Sequence, residues 1–395
     1  MAHFRPRHLQ AALTKGLKFS PLVALLGHRQ VGKTTLGTQI ARGYYTLDLR
    51  TTSDIIQRDP TGFLESISVF PTVLDETQLL PELFPALKEH VRTHKKPGQF
   101  LLTGSVRFSS RKRILESLTG RIIYYELLPL DISEARERPL PRCLIDLADR
   151  FESVELKKTS RAPSLVSQYL RKGGLPGLFA IRDESLFIQK IDTQIETILE
   201  RDLRLLVDTA LSFQTLRGLY THLALHQGEP LDLMAISRAT RVSRPTIRKL
   251  LQAYSSLFLI RFLPVEGTAK KGTFYLEDQG EASHLIGMRT DPLYDLTRFL
   301  YANLRCQIHY RPEMRSSIFQ FRTRSGSLVP LAFRIRGVEL GVIPILEDHP
   351  SPAAIASAHS FLKFYKRGKI VFATAGQKAS SPSPRMRVIP IALLI

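Results

Sequence analysis

The sequence predicts an α/β fold for its first third, a parallel sheet with helices on both faces, and three observations carry that prediction. An apolar run, Leu22 to Leu26, breaks at Gly27 and is followed by a helix-like stretch from Thr34 to Ala41. Further short apolar runs recur at Tyr44–Leu49, Thr72–Leu74, Gln99–Leu102 and Ile122–Leu127, separated by segments with helical spacing such as Pro81–His94. Strands alternating with helices argue for parallel pairing, because a crossover helix carries the chain back to the same end of the sheet. Finally, one run ends on two carboxylates, Asp75 and Glu76.

Between the first run and its helix, Gly27-His28-Arg29-Gln30-Val31-Gly32-Lys33-Thr34 fills each fixed position of the phosphate-loop pattern G-x-x-x-x-G-K-[ST]. Gly27 and Gly32 let the backbone turn so that N–H groups near Gln30 and Val31 face an anion. A helix opening at Lys33 aims its positive end at the same place. Lys33 is expected on the β- and γ-phosphates of ATP, with Thr35 beside it and the Thr34 hydroxyl on Mg²⁺. In this context Asp75 is the metal-side carboxylate and Glu76 the base that activates water. Strand ends on this side of a parallel sheet point at the ligand, so Thr103 or Ser105 is expected to sense the γ-phosphate. Arg121, after Gly120, is a candidate finger for phosphoryl charge. A helix is expected at Arg111–Leu118.

Length and composition bound the remainder. At 395 residues the chain suggests two or three domains. A hydrophobic content of 43% allows real cores, and no segment approaches the ~20 apolar residues of a membrane span. The basic N-terminus lacks an apolar signal core. The two cysteines, Cys143 and Cys306, are far apart and set no metal or disulfide pattern, so a reducing cytoplasm is expected. The net charge of +20, from 56 basic and 36 acidic residues, favours a polyanionic partner.

The order GHRQVGKTTL, TVLDETQLLPELFPALK, LLTGSVRFSSRKRILESLTGR and YYELLPLDISE resembles a prokaryotic family of AAA-type ATP-binding proteins with a C-terminal domain of unknown function. That family is distantly similar to archaeal origin-recognition-type ATPases. The resemblance continues through YLRKGGLPGLF and ILERDLRLL and, more faintly, to the C-terminus. It implies an AAA-type sheet, a winged-helix segment and a small α+β domain similar to restriction-type nucleases. One departure is local: the family usually has an acid after GG-x-P, whereas Gly177 follows Pro176 here. The domain boundaries expected are 1–135 for the ATPase, 136–225 for a helical connector or lid, 226–290 for a winged helix-turn-helix, and 291–395 for the nuclease-like domain.

Within the connector, Arg136–Pro163 reads as poorly defined. Ser185 reads as the cap of a long helix to Val207, with Leu186, Ile188, Ile191 and Ile195 in its buried stripe. Glu200, Arg201 and Asp202 near its end read as a solvated, salt-bridged face rather than as a link to the nucleotide. Leu231–Ala239 and Pro245–Phe258 read as helix-turn-helix, and no acid occurs between Leu233 and Val265. Arg244, Thr246, Arg248 and Lys249 fall on the outer face of the second helix, and Lys270 and Lys271 sit at the tip of the wing formed by Phe258–Leu263 and Thr273–Leu276. Such a set suits double-stranded DNA. In the C-terminal domain, the strands at Val329–Ile335 and Val338–Ile345 lack the paired acids and lysine that the nuclease resemblance would require. No nuclease activity is therefore expected. Ser380–Pro384 reads as a linker and Val388–Ile395 as a buried terminal strand.

Together these readings describe a Mg²⁺- and ATP-dependent ATPase that binds duplex DNA, with a homo-oligomer or a protein partner also open to it and no membrane role. The alternative is a nucleotide-gated protein-binding switch or scaffold with little turnover and no DNA.

Overall fold

The computed structural model describes residues 5–108, 120–153, 163–269, 271–287 and 291–395. Its first sheet contains β1 (Leu22–Gly27), β2 (Gly43–Thr46), β3 (Thr72–Asp75), β4 (Phe100–Gly104) and β5 (Ile122–Leu127). The spatial order is β2-β3-β4-β1-β5 and each pairing is parallel. Alternation along β1 explains the two helical layers. Leu22, Ala24 and Leu26 pack with Leu64, Phe84 and Leu87 on one face, while Val23 and Leu25 pack with Leu13, Leu17 and Leu36 on the other. The second strand is shorter than its apolar run: Tyr44 and Tyr45 are exposed because β2 is an edge. The helix expected at Arg111–Leu118 lies outside the described residues.

The middle of the chain differs in three places. Cys143–Arg150, read as ill-defined, is a helix whose Leu144 and Leu147 are buried against the C-terminal sheet. The long helix runs Glu184–Thr197 and is capped by Asp183, whose side chain accepts from Leu186 N, not by Ser185. Its buried stripe is Phe187, Ile191 and Ile195, four residues apart, which leaves Leu186 and Ile188 turned to either side and exposed. The helix then passes into a π-helical turn, Ile198–Asp202, rather than continuing at constant pitch to Val207.

Two helices, Leu233–Thr240 and Arg244–Ser256, follow at the expected positions, the second capped by Ser243 with Pro245 in its first turn. After them come β6 (Ile260–Leu263), the short β7 (Val265–Gly267) and β8 (Thr273–Leu276), with β6 and β8 paired as an antiparallel hairpin. The last sheet adds β9 (Ser317–Arg322), β10 (Leu328–Ile335), β11 (Val338–Ile345), β12 (Lys369–Thr374), β13 (Ser380–Ser383) and β14 (Met386–Pro390). Its order is β13-β14-β12-β11-β10-β9-β7. β13 replaces the expected linker: the chain there pairs antiparallel with β14. Helices Pro292–His309 and Pro352–Phe364 cover opposite faces of this sheet. None of the described helices is long and apolar enough to cross a membrane.

Candidate functional site: the phosphate loop and its surroundings

β1 delivers the chain to Gly27 at the C-terminal edge of the sheet. A Cβ at Gly27 would lie 2.5 Å from Leu127 O on neighbouring β5, so the close approach requires glycine. The loop turns through positive φ at Gln30 (60°) and Gly32 (96°) before helix Lys33–Ile40 opens. The Val31 side chain is buried in the core and its N–H donates to His28 O at 3.3 Å, so Val31 pins the loop from beneath. Lys33 is buried, and its Nζ donates to Gly27 O at 3.1 Å and His28 O at 2.9 Å. Burial lowers the Lys33 pKa, against the opposing carboxylates of Glu76 and Asp75.

Asp75, the last residue of β3, is buried at the same edge. Its Oδ2 accepts from Thr34 Oγ1 at 2.8 Å and from the Tyr44 hydroxyl at 2.9 Å, and Thr103 donates to Oδ1. Burial and then Asp75 push the Tyr44 hydroxyl up to about 12, which keeps it a donor. The Thr103 side chain is thus committed to orienting Asp75. Glu76 leaves the strand in the left-handed region (φ 57°). Its carboxylate accepts from the Gln78 amide, which also donates to Ser105 Oγ at 3.3 Å. Gln78 thus ties the Glu76 carboxylate to Ser105, a contact that no sequence pattern singled out. The Thr34 and Asp75 oxygens form a hard donor pair of the kind that suits Mg²⁺.

A cleft of about 530 Å³ opens over this edge. One side is the loop with Thr34, Thr35 and Glu76; the other is Pro176, Gly177 and Lys190. The departing Gly177 therefore sits on the cleft wall, where its missing side chain faces Gln30 Oε1. The N-terminal segment straps the loop: Arg7 donates to Val31 O at 2.7 Å and Leu128 O at 2.5 Å, with its Nε 3.2 Å from Glu134. The solvated-face reading of Glu200–Asp202 is corrected at Asp202, which is buried and pairs with Arg29 of the loop at 3.0 Å. Arg201, on the same π-turn, holds the other Asp202 oxygen at 3.0 Å. The signal available in the sequence was the position of Asp202 in ILERDLRLL, one residue before the apolar Leu203, although Glu200, Arg201 and Arg204 beside it disguise it as part of a charged face. Arg121 lies before β5, at the opposite end of the sheet from the loop, beside Ser20 and Arg92.

On the helix-turn-helix, Arg244, Arg248 and Lys249 are exposed, as are Arg238 and Arg241. The Thr246 hydroxyl is engaged with the Ser243 cap at 2.8 Å. Lys271 is exposed and lies 3.4 Å from Asp232, while Lys270 is outside the described residues. Arg261 is not on this surface; it is part of a network with Glu126 and Glu277.

Residues 20–136 match the family model of an AAA domain. The first module is an AAA domain. Residues 164–291 match a domain of unknown function, which spans the helices after the AAA domain and the helix-turn-helix. Two curated relatives, from Mycobacterium tuberculosis and Mycobacterium bovis, are each 29% identical over 291 residues and are themselves described as uncharacterized. The match takes in 71% of this chain and 60% of theirs, so the chain spans under two thirds of their length. Among solved structures, AMPPCP-bound DnaA from Aquifex aeolicus is similar at 14% identity over 63% of this chain and 86% of that one, with a TM-score of 0.29. PCH-2 from C. elegans is similar at 14% identity over 63% and 64%, with a TM-score of 0.19.

Proposed function

We propose that the AAA domain binds and hydrolyses Mg²⁺·ATP at residues 27–34 and that the helix-turn-helix and hairpin beyond it bind duplex DNA, in a cytoplasmic setting. The observation that carries the first part is the meeting of Thr34 and Asp75 at 2.8 Å beside Lys33. A hydroxyl, a carboxylate and an ammonium converge where a helix N-terminus faces an open cleft. Loop amides at Gln30 and Gly32 and the Lys33 ammonium take the phosphate oxygens. Val31 holds the loop from beneath through its buried side chain and its N–H on His28 O, and Thr35 follows on the helix. Thr34 and Asp75 would hold Mg²⁺, which when bound offsets phosphate charge. Glu76 accepts the proton of the attacking water, and Gln78, tied to Ser105, holds its carboxylate in place. Catalysis of this class rests on positioning and charge stabilisation. Arg121 is about 20 Å of strand away from its own loop, from six residues at ~3.3 Å each. Its service as a finger therefore requires a second copy supplying it in trans.

Support for the DNA part is the run of exposed cations Arg238, Arg241, Arg244, Arg248 and Lys249, which make no ion pair among the described residues. Thr246 acts through the cap that sets the helix start, and Lys270 and Lys271 would extend the surface along the wing. The C-terminal sheet is assigned no cleaving role: Glu339 on β11 is neutralised by Arg334 across the β10–β11 pairing at 3.1 Å. The test is the ATP hydrolysis rate with and without duplex DNA at two salt concentrations. Stimulation that fades with salt is expected; hydrolysis indifferent to DNA, or tight ATP binding without turnover, overturns the DNA or the hydrolysis part respectively.

A further inference from the structure

His28, the first variable position of the phosphate loop, is a buried titratable group that the phosphate chemistry does not use. Its Nδ1 is 2.7 Å from Arg29 O and its Nε2 is 3.2 Å from Glu281 Oε2. Glu281 is also buried and accepts from Gln194 Nε2 at 2.5 Å and from the Tyr220 hydroxyl at 3.0 Å. It sits in the first turn of helix Gln279–Ile286. The cap of that helix, Asp278, accepts from Gly280 N and Glu281 N through Oδ1, both at 2.9 Å. Through Oδ2 it accepts from Gly174 N at 2.7 Å.

Gly174 leads within three residues to Pro176 and Gly177 on the far wall of the cleft. One helix turn, 278–281, therefore grips both walls: the loop through Glu281, and the Pro176–Gly177 wall through Asp278. The same turn directly follows β8, the second strand of the hairpin, and Glu277 N donates to Leu259 O at 2.9 Å just before β6. Buried charges and close backbone approaches resist small adjustments, so a shift of the loop is passed on rather than absorbed.

We propose that the 278–281 turn couples the phosphate loop to the hairpin, with His28–Glu281 as the positioning pair: a nucleoside triphosphate seated in the loop tightens helix 279–286 and β8. By linkage, a polyanion on the hairpin side changes triphosphate affinity by the same factor. This coupling rests on the nucleotide reading of the loop.

The experiment is amide hydrogen exchange on the full chain with and without Mg²⁺ and the non-hydrolysable β,γ-imido analogue of ATP. Slower exchange is expected at 27–34 and also at 273–286 in the wild type. In His28→Ala and Glu281→Gln the effect at 27–34 persists at saturating analogue while that at 273–286 disappears, and affinity for the analogue falls about tenfold. His28→Gln, whose amide still reaches towards Glu281, restores most of the transmitted effect. Protection confined to 27–34 in the wild type, or transmission that survives in His28→Ala, overturns the coupling and leaves the nucleotide reading intact. No change at 27–34 overturns both. The wild-type comparison decides the matter even where a variant fails to fold.

Discussion

Lys33 and Asp75 show how residue chemistry was legible in a short pattern while the supporting hydrogen bonds were not. The spacing of the loop locates Lys33, and the acid pair after an apolar run locates Asp75. Nothing near either residue in sequence announces that Tyr44 and Thr103 also donate to Asp75. The same holds for Gly174. The Gly173-Gly174 pair suggests a tight turn, and Gly173 does take a positive φ of 68°. Gly174 is needed for another reason: a Cβ there would meet Leu130 N at 2.8 Å and Pro129 Cβ at 2.9 Å. That backbone is held in place by Leu130 N donating to Gly174 O at 2.6 Å. Gly174→Ala is expected to lower unfolding free energy by about 2 kcal/mol, as overpacking does. Denaturant titration measures this, and an unchanged midpoint would show that the turn can open.

At the scale of elements, helix Arg244–Ser256 has a buried face of Ile247, Leu250, Leu251 and Tyr254, with Arg248 and Lys249 left outside. Arg248→Ala with Lys249→Ala is expected to weaken duplex DNA binding similarly for unrelated sequences. It should also flatten the dependence of log affinity on log salt by about one unit for each phosphate deprived of its cation. Filter binding at several salt concentrations reads this; an unchanged slope would remove these residues from the interface. Charge patterning made this surface legible, since the outward spacing and the lack of acids are both local. It says nothing of Arg261, because Glu126 and Glu277, which hold it, come from distant parts of the chain. The π-turn at Ile198–Asp202 was hidden for a related reason: periodicity extrapolates a helix at constant pitch, and one inserted residue moves Asp202 onto the loop-facing side. Asp202→Asn should release Arg29 and Arg201 and alter nucleotide affinity, read by titration of a fluorescent ATP analogue, whereas a merely solvated acid would leave it unchanged.

Across the whole molecule, one charge network, buried at Glu277 and Arg305 and half-buried at Arg107, Glu126 and Arg261, joins the AAA domain to the hairpin and the C-terminal domain. Glu126 on β5 pairs with Arg107 at 2.9 Å and with Arg261 of the hairpin, Arg261 reaches Glu277 at 2.8 Å, and Arg305 of helix Pro292–His309 reaches Glu277 at 2.6 Å. Burial works to raise the Glu126 pKa, but Arg261 and Arg107 outweigh it and hold it at about 2. A carboxylate depressed in the folded state contributes stability that is present above its ordinary value and lost as pH falls towards the folded one. Asp278, pushed up to about 6 by burial and by Glu281, acts in the opposite sense: its stabilising proton is lost as pH rises towards that value. Glu126→Gln is therefore expected to cost about 3 kcal/mol at neutral pH and to flatten the loss of stability below pH ~4.5. Denaturation at neutral and acid pH would show an equal effect at both if the pair contributed only packing. The most direct measurement is calorimetric titration of the full chain with Mg²⁺ and ATP, repeated on Lys33→Ala. One-site binding in the wild type, abolished in the variant, is expected. Binding that survives in Lys33→Ala, or no heat in the wild type, would contradict the assignment of the 27–34 loop as the seat of the triphosphate.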